Sequence, residues 1–371
     1  WFAVRTGANQ DLRGTEQWYR MNKARSFSEF RQAMQMTAIP GFNVVYADPD
    51  TIYYVSNGKI PYRDPAYDWS GTLPGNTSKT LWTRFRPLSD FPQYVNPPGG
   101  YLFNTNNTPF NATAPANNLR AEQFDKTMGF ERWDNNRSIR LGELMSHYNK
   151  LSYADFKRIK YDLQLPAVLS YVTGPDANAL FTLKPDDYPG LSDLVQAIRS
   201  WNRQATADSQ GAAVFLIFYQ YWKAKAQTLT NPPKALTRED CAEGLRYVRT
   251  YLIKHFGRTD IRLGDYQKHV RGGREMPIWG IPDVLASIYT KPYTKGRVQS
   301  SQGESYIALV KFPKVGLPEI ETINCYGASN HSDSPHYADQ MELFVNQKTK
   351  PMTLDKATVL RQARRVYHPG E

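Results

Sequence analysis

The sequence predicts an α+β fold, on three observations. Strand-like alternation in "FNVVYADPDTIYYVSNGKIPYR" gives way, after about residue 136, to helical periodicity. Strand-like runs then return from about residue 260, in "ESYIALVKF" and "ETINCYGAS". At 371 residues with 40% hydrophobic content, the chain is long and apolar enough to bury a large core. This strand–helix–strand order predicts one body whose sheet takes strands from both ends of the chain.

Each element has a local reason. The opening "WFAVRTG" lacks Met, a charged leader and an apolar leader core; "FAV" reads as the end of a strand already under way, as expected of a chain cut from a longer one. In "SFSEFRQAMQM", Ser26 with Glu29 three residues on is a capping-box pattern that starts a helix. "FNVVYA" and "TIYYVSN" alternate around "DPD" and predict a hairpin. Six prolines between residues 63 and 100 predict a long irregular segment with short extended pieces, and "YLFNTNN" predicts a further strand running into a turn.

Beyond it, "RSIRLGELMSHY" sets Ile139, Leu141, Leu144, Met145 and Tyr148 near one helical face, and "SYADFKRIKYDL", "LSDLVQAIRSW" and "REDCAEGLRYVRTYLIKHF" predict helices. "GAAVFLIFYQYW" is apolar nearly all round, which fits a helix buried on most sides or a buried strand. The texture divides the chain into residues 1–136, a mainly helical region 137–260, and returning strands over 261–371.

Composition narrows the function classes. A net charge of +11 raises the possibility of nucleic acid, yet Lys and Arg are scattered among acids with no dense basic run, so a solvated basic surface is expected and no nucleic-acid partner. No apolar run approaches the roughly 20 residues that span a bilayer, so no membrane partner is expected. Cys241 and Cys325 lack metal-ligand spacing and leave both a disulfide and two thiols open. His331, Asp333, His336 and Asp339 cluster in "SNHSDSPHYADQ" without the spacing of a helix-borne zinc motif; a structural loop held by these side chains is expected. "GREMPIWGIPD" reads as a loop punctuated by Gly and Pro, and no G-x-S-x-G is present.

The crowding of Asn104, Asn106 and Asn107 in "GYLFNTNNTPFN" has two readings. Asn tolerates left-handed backbone and caps its own turns, so a polar turn suffices. Alternatively, one amide is a fixed hydrogen-bond donor in an active site. Residue spacing alone does not decide.

Resemblance adds to this. "NVVYADPDTIYYVSNGKIPYR" followed by "NPPGGYLFNTNNTPF" resembles the penicillin acylase family of N-terminal-nucleophile hydrolases, with its Y-A-D strand pair and its N-P-x-x-G-Y segment closing in N-x-N-N-x-P. "HVRGGREMPIWGIPDVL", "GESYIALVKF" and "YGASNHSDSPHYADQMELF" are similar to the closing segments of the branch of aculeacin and acyl-homoserine-lactone acylases. The likeness runs from Trp1 to about Pro351, nearly the whole chain.

The resemblance implies an αββα sandwich with a helical insertion, incomplete because its N-terminal part is absent. It implies an amide hydrolase whose nucleophile is a Ser freed at the head of a β chain, with its own α-amine as general base. Asn106 matches the oxyanion donor of N-x-N-N, Asn107 a residue that ties the turn, and Arg137 an Arg that orders the site from the head of the next helix. Phe42 and Trp18, the latter ahead of the first expected helix, fall where acyl-pocket side chains sit; they read equally as core aromatics.

The family needs no cofactor for catalysis and carries a structural Ca2+, for which only the backbone near Trp69 is traceable here. Trp1 has no oxygen to attack with, so the isolated chain is expected to be inactive, its missing α chain and first β segment being its partners and a small acyl amide its substrate. Periplasmic or secreted localisation follows from the same likeness. The other readings open at this point are a non-catalytic scaffold of the same fold and a basic nucleic-acid binder.

Overall fold

The computed structural model describes residues 1–173, 175–226, 234–368 and 370, and the chain divides into two compact units, Trp1–Asp134 and Asn135–Glu371.

In the first unit two helices, α1 (Gly14–Lys23) and α2 (Phe27–Gln35), precede an antiparallel sheet of β1 (Phe42–Ala47), β2 (Ile52–Asn57) and β3 (Gln93–Val95), in that order. Helix α2 starts as its sequence predicts: Ser26 Oγ accepts from the Glu29 N–H at 3.2 Å. The return bond goes one residue further out, from the Arg25 N–H to Glu29 Oε2 at 2.8 Å. Phe30, Ala33 and Met34, spaced by three and four, form its buried stripe.

The predicted hairpin forms with Ala47 opposite Ile52, and Asp48 Oδ1 accepts from the Asp50 and Thr51 N–H groups to close its loop. The central strand β2 is buried on both faces. Tyr53 and Val55 pack with Phe30, Met34 and Phe91, while Tyr54 packs on the other side with Tyr94 and Ala112. That second face carries the Asn-rich segment.

In the second unit the elements are α3 (Asn136–Met145), α4 (Tyr153–Lys160), β4 (Val172–Thr173), α5 (Ala179–Thr182), α6 (Ser192–Arg199), α7 (Gln210–Ala226), β5 (Lys234–Ala235), α8 (Arg238–Phe256) and α9 (Leu263–Tyr266). Strands β6 (Gln267–Arg271), β7 (Arg274–Pro277), β8 (Ile288–Pro292), β9 (Val298–Gly303), β10 (Tyr306–Lys311) and β11 (Glu319–Asn324) follow, then α10 (Met341–Val345), β12 (Lys350–Met352) and α11 (Lys356–Gln362). The sheets are β7-β6-β9-β8, β10-β11-β12 and the short pair β4-β5. The all-round apolar segment is helical: every residue from Gly211 to Tyr219 in α7 is buried. Helix α8 approaches it closely at Gly244, where a Cβ would lie 2.4 Å from the Phe218 ring.

Several expectations are corrected. No sheet among the described residues combines strands from the two ends of the chain; β1–β3 pair only with one another, and the later strands fill sheets of their own. "FAV" is not strand: residues 1–6 are exposed and carry no regular element. "YLF" is not strand either, because its backbone meets residues 112–113 through single contacts, Phe103 N–H to Ala112 O and Thr113 Oγ1 to Tyr101 O, instead of a ladder. "GREMP" is not loop: Gly272 and Gly273 both take positive φ (54° and 81°) and turn β6 into β7 with Arg271 opposite Arg274. Helix α3 stops at Met145, short of Tyr148; its apolar set is half-buried as its spacing predicts, and the fully buried residues are the polar Asn136 and Ser138.

His269, in β6, is a satisfied core histidine. Its ring bonds Ser300 Oγ at 2.8 Å and the Cys325 carbonyl at 2.6 Å; the carbonyl can only accept, so Nε2 carries the proton. Cys241 and Cys325 are both free thiols. Burial pushes the Cys241 thiol up to about 12. At pH 8 the native protein should therefore show no fast Cys241 labelling by an aromatic disulfide reagent, whereas denaturant should release full reactivity; rapid native labelling of Cys241 would contradict the buried thiol.

Candidate active site

The Asn-rich segment is held by a lattice of side-chain amides. Asn107 is 3% exposed, and its Oδ1 accepts from the Thr105 N–H at 2.9 Å and from Thr105 Oγ1 at 3.1 Å. Its Nδ2 donates to the Asn111 carbonyl at 2.6 Å and to the Thr108 carbonyl at 3.2 Å. All of its hydrogen-bonding capacity goes into the turn, as expected of it.

Asn118 does the same from the far side. Its Oδ1 accepts from the N–H groups of Ala112 and Thr113, and its Nδ2 donates to Asn111 Oδ1 and the Thr113 carbonyl. Asn111 Nδ2 reaches Asp134 Oδ1 at 2.8 Å, and Thr108 Oγ1 donates to the Glu131 carbonyl at 2.6 Å. The sheet adds a tether: Tyr94 OH donates to the Pro109 carbonyl at 2.9 Å and accepts from the Leu119 N–H at 3.0 Å.

Asn106 stands at the apex of this framework. Its backbone is left-handed, φ 58°, and its N–H donates to Asn104 Oδ1 at 3.0 Å. A short polar side chain that bonds locally is what tolerates that conformation. Asn106 is exposed while Asn107, Thr108 and Pro109 after it are buried. A carboxamide in this setting offers an uncharged N–H donor on a backbone fixed by its neighbours.

Trp18 and Phe42 come together in the first unit, ring centroids 5.9 Å apart and edge to face. Trp18 sits inside α1, which the sequence reading missed, so it does not precede the first helix. Both rings are exposed, 43% and 45%, so neither is an ordinary core aromatic. They form an apolar wall open to solvent.

Arg137 is the second residue of α3 in the second unit. The head of that helix is firmly capped: Asn135 Oδ1 accepts from the Ser138 N–H at 3.0 Å, and Ser138 Oγ accepts from the Asn135 N–H at 3.1 Å. The sequence reading did not single out Asn136, Tyr171 or Asp283, which gather at the same helix head. Their positions are far apart in the chain, and no local pattern joins them.

Near Trp69 the indole N–H donates to the Asp64 carbonyl at 2.8 Å, and the Arg63 guanidinium lies 5.4 Å from the indole ring and 5.5 Å from that of Trp82. Asp68 Oδ1 is taken by the Ser70 N–H and hydroxyl. No group of three or more His, Cys, Asp or Glu among the described residues could hold a metal. His336 Nδ1 pairs with Asp339 Oδ2 at 2.9 Å on an exposed loop, and His331 and Asp333 are exposed.

Comparison with known proteins agrees with the motif reading. The penicillin amidase family model matches residues 1–361. The chain is 22% identical to the acyl-homoserine lactone acylase PvdQ of Pseudomonas putida, over 96% of this chain and 50% of that protein. It is 34% identical to the penicillin G acylase of Escherichia coli over 93 residues, 25% of this chain and 11% of that one.

The structure of a thermostable penicillin G acylase from Alcaligenes faecalis superposes with a TM-score of 0.52 at 18% identity, covering 96% of this chain and 72% of that one, a likeness of fold. The chain spans about half the length of the PvdQ relative it matches end to end. The chain, of mixed α+β build with largely antiparallel sheets, belongs to the penicillin amidase family.

Proposed function

We propose that these residues are the oxyanion-stabilising part of an acylase that removes an acyl group from an amine-bearing nucleus. The observation that carries this reading is the exposed, left-handed Asn106 at the tip of a turn that the buried Asn107 side chain holds.

The chemistry follows from those groups. A Ser hydroxyl supplied from outside residues 1–371 attacks the amide carbonyl, and its own α-amine takes the proton through water. The C–O bond that forms leaves negative charge on the former carbonyl oxygen, and the Asn106 amide N–H donates to it. Collapse of the tetrahedral intermediate breaks the C–N bond, the amine leaves with the proton, and water then hydrolyses the acyl ester. Arg137 orders the site, and Trp18 with Phe42 lines the acyl group.

The substrate class we propose is long-chain acyl amides over penicillins; similarity to an acyl-homoserine lactone acylase over nearly the whole chain supports an acyl substrate of that general kind. The same likeness supports an exported protein, and no helix among the described residues is long and apolar enough to cross a membrane. Any structural Ca2+ would need carboxylates beyond those near Trp69, and no step above uses it.

Mass spectrometry of the protein from its native source tests the assignment. Recovery of a chain that begins with Ser, follows a cleaved Gly–Ser junction and runs on into Trp1 is the expected result. Any other residue at that position would favour a non-catalytic scaffold.

A further inference from the structure

The head of α3 has an electrostatic problem. Arg137 brings a permanent positive charge into the first turn, where the helix dipole is already positive, and that turn contains no acid. The second unit supplies one from elsewhere. Asp283, in the "GIPD" turn between β7 and β8, takes a left-handed backbone with φ 72°. Although the residue as a whole is half-buried, its carboxylate oxygen Oδ2 has lost its contact with solvent.

Asn136 and Tyr171 both act on this carboxylate through their side chains, and Arg137 is the positive charge that opposes the cost of burying it. Asn136, immediately before Arg137, is itself fully buried, and its Oδ1 is pinned by the Ser170 N–H at 2.6 Å. Asp283 Oδ2, Asn136 Nδ2 and the Tyr171 hydroxyl each lack a hydrogen bond of ordinary length and angle among the described residues. Buried polar groups are almost always satisfied, so three unsatisfied ones about one carboxylate are an arrangement drawn together but not closed. Catalytic hydrogen bonds behave this way in proteins without substrate, tightening when the reacting complex forms.

We propose that Asp283 is a positioning residue for Arg137: its buried carboxylate, flanked by Asn136 and Tyr171, sets where the guanidinium lies at the head of α3. The inference rests on the reading of Arg137 as a residue that orders the acylase site. Tyr219 and Tyr289 complete the surroundings, with Lys223 as the other cation acting on the group. A carboxylate in such a place is a fixed negative charge beside the guanidinium, which an amide of the same shape does not supply.

The test uses the complete processed enzyme with a chromogenic long-chain acyl anilide, comparing Asp283→Asn, Arg137→Ala and the double variant. Asp283→Asn should lower kcat by about 10- to 100-fold, the scale of misplacing a catalytic group. KM should stay unchanged, since the lost interaction acts on the transition state. In the double variant the Asn substitution should add nothing to the Arg137→Ala loss.

If Arg137→Ala leaves kcat intact, the reading of Arg137 fails and takes this inference with it. If Arg137→Ala lowers kcat while Asp283→Asn does not, or while the two losses multiply, only the assignment of Asp283 is overturned. Should Asp283→Asn not accumulate as folded enzyme, Tyr171→Phe replaces it, and an unchanged kcat in that variant overturns the assignment.

Discussion

Replacing Asn106 by Ala in the complete enzyme should lower the turnover of acyl amides by about 10²–10³-fold, the loss typical of removing one oxyanion donor. Folding should be nearly unaffected, because the turn does not depend on this residue alone. Asn107 and Asn118 fasten the segment through eight hydrogen bonds of their side chains, and Tyr94 tethers it to the sheet. The left-handed backbone at Asn106 introduces one complication, since Ala adopts φ 58° less readily than Asn. Asn106→Gly removes it: glycine takes that conformation freely and has no amide. Both variants should lose kcat alike, and the Gly variant should keep the wild-type melting temperature. Wild-type turnover in the Gly variant would remove Asn106 from the mechanism.

The second large effect concerns stability. Gln17, fully buried in α1, acts as a clasp for the first unit. Its Oε1 accepts from the N–H groups of Ala38 and Ile39, at 2.7 and 3.0 Å, in the link between α2 and β1. Its Nε2 donates to Asn57 Oδ1 at 3.1 Å, and Asn57 Nδ2 donates in turn to the Met34 carbonyl at 2.9 Å. Gln17→Met keeps the length of the side chain and removes every polar atom.

Two backbone N–H groups and one amide oxygen would then be left buried without partners, each costing about 1–3 kcal/mol. The expected loss is about 3–5 kcal/mol, near the upper end for one substitution. Denaturant unfolding of the variant should show a lower midpoint with an unchanged slope. A loss below about 1 kcal/mol would mean that water or a shifted backbone satisfies those groups.

How much of this was legible from residues alone depends on the range over which the signal acts. The all-round apolar α7 was legible as buried but not as helix against strand, whereas the Ser26 cap and the "ADPD" hairpin are written within a few turns of chain, and they form where their patterns put them. The role of Asn107 in its turn is of the same kind. The Gly272–Gly273 hairpin carried an equally local sign, a two-glycine turn, that the punctuation by Gly and Pro obscured. "YLF" has the composition of a strand, but its backbone finds single contacts instead of a ladder, which no property of its own three residues could reveal.

Family membership was also legible, because ordered motifs along the chain carry it and need no coordinates. The tertiary structure alone decided which strands share a sheet, that Trp18 meets Phe42 in the open, that Gln17 closes on Asn57, and that Asp283 lies with Asn136, Arg137 and Tyr171. The division has one physical cause. Backbone hydrogen bonds and side-chain periodicity act between near neighbours and so leave a repeating trace in the sequence. Buried polar contacts between residues 40 or more positions apart, such as Gln17 with Asn57, leave none until the chain has folded.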